Sequence, residues 1–183
     1  MTGHHPGGAV GIDEGERPFI DTSPVRALIG RIHLHAGQTR GPVSTDDQST
    51  ESTVDYLSLA WIRELSREVG DSATLRDLAV RHRIGVTQVV TDTPEGEVTY
   101  HLSIGDGQAM FDAGPADPED VRMQQDWDTA VAVATGELNA QEAFVTGRIL
   151  LFGDREALMG AHEVFAALDA VFSSVRNRTR YSP

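Results

Sequence analysis

The side chains in this sequence that could do chemistry are carboxylates, histidines and arginines; there is no cysteine. Thiolate nucleophiles, disulfides and cysteine-ligated zinc are therefore excluded. Carboxylates cluster at Asp117, Glu119 and Asp120, and again at Asp126 and Asp128. Such a pair can work as acid and base when its surroundings hold the two pKa values apart. The second pair sits where a helix begins, however, and acids there cap the helix and suit its dipole. The first lies in a loop with Gly and Pro, open to water. His33 and His35 would face one way on a strand, but two ligands alone do not make a metal site. His101 falls at a polar-facing strand position and His162 on the polar side of a helix, so both are expected at the surface. Gly105-Asp106-Gly107 has no Lys and no helix after it, so it reads as a hairpin turn and not a phosphate loop. GxSxG, HExxH and Walker patterns are missing from the chain. No catalytic residue, no metal and no cofactor are expected.

Charge narrows the partners. The 15 basic residues, all Arg, face 28 acidic ones, for a formal charge of −13. Such a surface repels phosphate backbones, so nucleic acid is not an expected partner. Arg176, Arg178 and Arg180 make a small basic tail. Each charge would gain only about 1 kcal/mol near an anionic bilayer, so the tail reads as a solvated end and membrane contact as transient at most. The chain has no apolar run of membrane-spanning length. Its first residues lack the basic and apolar regions of a secretory signal. A cytoplasmic location is the expectation.

The elements that must position any site follow from periodicity. The 183 residues suit about one domain. Residues 1–53 read as a flexible extension with a short amphipathic helix near 24–35. There Val25, Leu28, Ile29 and Ile32 share a face behind Ser23-Pro24. Residues 44–53 hold no hydrophobic side chain and read as a linker. Val54 to Val69 reads as one helix, and Asp71 or Ser72 can cap the next, which Gly85 stops. The pattern then changes to period two. Val98, Tyr100, Leu102 and Ile104 face one way and Glu97, Thr99, His101 and Ser103 the other. With Val86 to Asp92 before it and Gln108 to Asp112 after it, this strand makes an antiparallel meander. Val121 and Met123 mark a fourth strand. Helices follow, capped by Asp126 and Asn139. Ile149 to Phe152 is apolar on both faces, as for an interior strand. Asp154 then opens one last helix, on which Leu158, Ala161, Phe165, Leu168, Phe172 and Val175 share a face.

One stretch is more specific than periodicity. Residues 126–154, DWDTAVAVATGELNAQEAFVTGRILLFGD, carry Gly136, Glu137, Leu138 and Asn139, then Gln141, Ala143, Phe144 and Gly147, then Ile149, Leu151, Gly153 and Asp154. This run resembles the sterol-carrier-protein (non-specific lipid-transfer) family, and the likeness extends more loosely over residues 72–176. It implies an α+β fold in which a five-stranded sheet, an antiparallel three-strand meander plus two crossover strands, is covered by helices. An N-terminal helical extension is added here. It also implies an apolar tunnel that binds sterols, fatty acids, acyl-CoA or phospholipids. The resemblance places Trp127, Ala130, Val131, Phe144, Leu150, Phe152, Leu158, Phe165, Leu168 and Phe172 near that tunnel.

The resemblance divides the chain into the extension at 1–53, a lipid-binding domain at 54–176 and a tail at 177–183. Tyr181-Ser182-Pro183 is not a peroxisomal tripeptide, so a free-standing bacterial-type protein is expected. The expected function is binding, and transfer, of a hydrophobic small molecule. Two alternatives stand beside it: an enzyme acting on an apolar metabolite in the same cavity, and an interaction module or homodimer formed through the N-terminal helix.

Overall fold

A computed structural model describes residues 53–181. The expected helix near 24–35, with His33 and His35, lies outside the described residues. Strand β1 (Val54–Asp55) leads into helix α1 (Leu59–Asp71) and helix α2 (Ala73–Ala79). Strands β2 (Ile84–Thr93), β3 (Gly96–Gly105), β4 (Gln108–Ala113) and β5 (Val121–Asp126) follow. Helices α3 (Trp127–Thr135) and α4 (Ala140–Val145) precede strand β6 (Leu150–Gly153). Helices α5 (Arg155–Gly160) and α6 (His162–Arg176) and strand β7 (Thr179–Arg180) complete the order.

Local chemistry sets most boundaries. Ser58 and Ser72 cap α1 and α2 by accepting from the backbone N–H of Trp61 and Leu75. Asp126 accepts from Thr129 N at 2.7 Å to start α3, and Asn139 and Asp154 do the same for α4 and α5. Gly136 ends α3 at φ +82°, a left-handed conformation that side chains with a Cβ resist.

Five strands form the main sheet in the order β4-β3-β2-β5-β6. The meander β2-β3-β4 is antiparallel, β5 lies parallel to β2, and β6 runs antiparallel to β5. The fold is thus α+β, with a mixed five-stranded sheet covered by helices. The register aligns one face across the sheet. Val86 pairs with Leu102 and Val121, Gln88 with Tyr100 and Met123, and Leu102 with Phe111. On that face α1, α2, α3 and α6 bury the main core, which includes Leu65, Val69, Leu75, Val164 and Val175. Burial of large aliphatic side chains, each contributing about 1.5–3 kcal/mol, holds these layers together.

Four readings from the sequence change. The stretch from Val54 is not all helix: Val54 and Asp55 pair in parallel with Thr179 and Arg180. The last helix is two, because Ala161 leaves the helical region at φ −92° and ψ 16°. Its apolar spacing runs on unbroken through that corner, which is why the sequence hides it. The strand at 150–153 is an edge strand, not an interior one, and pairs only with β5. The arginine tail is held as well: Arg178 bonds Glu64 at 2.7 Å and Arg180 bonds Asp55 at 2.6 Å.

Candidate functional site: an apolar cavity

The helical layer does not pack into one continuous core. A small satellite cluster of Val133, Ala140, Ala143 and Ile149 lies apart from the main one. Between the two is a cavity of about 160 Å³. Its floor is the inner face of the sheet, with Leu102, Phe111 and Met123, and its walls come from α1, α3, α4 and α6. The sequence explains the gap. Three wall positions are Ala130, Ala134 and Ala140, whose single methyl groups cannot bridge the space between α3–α4 and the sheet.

One end is aromatic. The ring of Trp61 lies 5.8 Å from Tyr100, 6.0 Å from Phe111 and 6.3 Å from Phe172. Tyr56 joins Trp61 at 5.1 Å and Tyr181 at 5.0 Å, extending the cluster toward β1 and β7. Loss of water around the phenols pushes Tyr56 and Tyr100 well above the usual tyrosine range. Burial also raises Tyr181. All three are therefore neutral at pH 7. Few polar groups reach the cavity. Gln88 and Gln125 come from the sheet, and Arg176, in an ion pair with Asp169 at 3.8 Å, comes from the end of α6.

Of the residues the resemblance places near a tunnel, Ala130, Phe165, Leu168 and Phe172 line this cavity. Leu158 is buried in the main core away from it. Trp127 packs on Tyr56 with ring centroids 5.7 Å apart, and Phe144 packs on the satellite cluster. Val131 is half-buried on α3 but is not part of the lining. Leu150 and Phe152 are 44% and 50% exposed, because they point to the side of the edge strand that no helix covers. Trp61, Tyr100 and Phe111 were absent from the expected lining. The alternation of β3 already puts Tyr100 on the core face. Trp61 and Phe111 belong to elements whose docking no local pattern reveals.

Asp120, Glu119 and His101 have structural work. Asp120 accepts from Gly85 N at 2.7 Å, and Glu119 holds Arg122 through two bonds of 3.0 Å. His101 is half-buried and not at the surface as expected, with Nδ1 donating to the Gly114 carbonyl at 3.0 Å. His162 is exposed. Among the described residues no cluster of three or more His, Asp or Glu could hold a metal ion, and no helix is long and apolar enough to cross a membrane.

Comparison with known proteins gives the family. The sequence model of the SCP-2 sterol transfer family matches residues 64–166. Among solved structures, apo sterol carrier protein 2 from Yarrowia lipolytica is 13% identical, aligning 59% of this chain with 88% of that chain at a TM-score of 0.48. A crystal structure of sterol carrier protein 2 is 22% identical, with 63% and 95% aligned and a TM-score of 0.47. Palmitated SCP2L2 from Aedes aegypti is 19% identical, with 57% and 90% aligned at 0.44. No curated protein matches the chain. The family match spans more than half of the sequence, and the chain belongs to the SCP-2 sterol transfer family, a family of lipid binding and transfer.

Proposed function

We propose that this protein carries a hydrophobic small molecule, such as a sterol, a fatty acid or the acyl chain of an acyl-CoA, in the cavity between the sheet and α1, α3, α4 and α6. The observation that supports this reading most is the cavity itself: an unfilled volume of about 160 Å³ walled by alanine, aliphatic and aromatic side chains. An apolar void of roughly 150 Å³ is known to stay dry and accept benzene. The cavity thus suits one ring or about six carbons, which would contribute about 5 kcal/mol before the costs of association. A longer ligand needs more room. Phe172 is half-buried and stands at the aromatic end, so its displacement, with Trp61 turning aside, would lengthen the space toward Tyr181. Ala130, Phe165, Leu168 and Phe172 would touch the ligand directly. The lining contains no nucleophile paired with a base, which favours carriage over chemistry.

The test is extraction of the purified protein followed by mass spectrometry, together with titration of a fluorescent fatty acid and a fluorescent sterol. The expected result is a co-purifying lipid or saturable uptake at micromolar concentration. Absence of both would refute the carrier function.

A further inference from the structure

We infer that the side-chain amide of Gln125 is the polar anchor of the cavity, and that the preferred ligand carries a hydroxyl group at its inner end. This deepens the carrier reading above and rests on it. Gln125 is 8% exposed and lines the cavity. It sits on β5 beside Val90 of β2, on the same face as Val121 and Met123, all of them apolar. Its Oε1 is buried and accepts no hydrogen bond.

A buried amide without a partner is costly, and evolved cores rarely keep one. A methionine or leucine would fill the same place without that cost. An amide with a free oxygen on the wall of an apolar cavity is explained if the partner arrives with the ligand. The free atom is the amide oxygen, an acceptor, so the guest must bring a hydrogen-bond donor to it. A hydroxyl is the matching group, since it donates, whereas an ether oxygen only accepts. A carboxylate matches less well at this position. The cavity's cation is Arg176, on the last turn of α6, and it is already engaged with Asp169.

The experiment compares 1-hexanol with its isomer pentyl methyl ether, both of the size the cavity holds, read by tryptophan fluorescence, on the full-length protein and on Gln125→Met. In a wholly apolar cavity the ether would bind more tightly, because the alcohol surrenders more hydration. With the amide as partner the order reverses, and the wild-type protein is expected to prefer the alcohol by about tenfold. Gln125→Met is expected to lose that preference, to hold the ether at least as well, and to melt at the same or a higher temperature. Equal binding of both compounds by the wild-type protein would overturn the assignment of Gln125 and leave the cavity reading standing, and that arm needs no variant. A preference that survives in Gln125→Met, or a variant that melts many degrees lower or does not fold, would overturn it as well. If the wild-type protein takes up neither compound, the cavity reading itself fails.

Discussion

Replacing Ala130 with leucine separates a hollow interior from a filled one. Ala130 is 1% exposed, lies on α3 and faces the cavity. The change adds three carbons, each occupying roughly the 30 Å³ of a water molecule. That is about 90 Å³ set against a void of about 160 Å³. In a close-packed core the same insertion costs about 1–3 kcal/mol through forced rotamers and backbone shifts, which lowers the melting temperature by several degrees in a domain of this size. In the cavity the added carbons meet free space and bury apolar surface at about 0.8 kcal/mol each. Ala130→Leu is therefore expected to melt at or above the wild-type temperature while its affinity for a fluorescent fatty acid drops at least tenfold. Thermal denaturation followed by circular dichroism and a fluorescence titration provide the two readings. A clearly lower melting point with unchanged affinity would refute the reasoning, because it would mean the void does not accept side chains and the ligand does not use it.

Alkaline titration tests the aromatic end. All three tyrosines of the chain have raised pKa values in the fold, so stability is fully present below the unfolded value of about 10 and is lost as pH climbs through the higher folded values. Phenolate absorbance should lag an ordinary tyrosine curve and then rise together with unfolding; a simple titration centred near 10 would contradict this. Gly85→Ala should destabilise the protein by more than about 2 kcal/mol in a urea melt, since a Cβ there would overlap the Pro118 carbonyl oxygen. A neutral outcome would mean the loop after β4 is free to move off the sheet. Thr87→Val keeps shape but removes the oxygen that accepts from Ala116 N at 3.0 Å. The stranded N–H should cost about 1–3 kcal/mol, and an unchanged urea midpoint would show that water or another acceptor takes its place.

Local signals told the most where one residue type has one physical job. The alternation from Val98 to Ile104 identified the core face of β3, and the acids at 126 and 154 with the amide at 139 identified three helix starts. The motif around Gly136 to Asp154 carried the family and so the order of strands. Properties that depend on distant partners stayed hidden. Leu150 and Phe152 have the composition of a central strand, but how many neighbours a strand has is decided by the whole sheet. The pairing of Val54 with Thr179 spans almost the full domain and leaves no local trace. An apolar tunnel was a family expectation, and nothing local in the sequence marks this cavity. Its lining needs α1, β3 and β4 to converge, and its alanines look like ordinary helix formers. Gln125 was invisible for a related reason: an amide in a strand gives no sign that it lacks a partner.

The clasp between β1 and β7 bears on how the domain would respond to tension. The two short strands run in the same direction, joined by Val54 N to Arg178 O and Tyr56 N to Arg180 O, each 2.9 Å long. A force drawing residue 53 away from residue 181 would slide one strand along the other and would not peel them apart. Both backbone bonds and the Arg180–Asp55 contact would then be strained at once, so the ends should yield in a single abrupt step when stretched. The seven-ring neighbourhood of Tyr56 would feel that rupture immediately, since the ring of Tyr181 packs against it, tilted by 47°, just beyond the clasp.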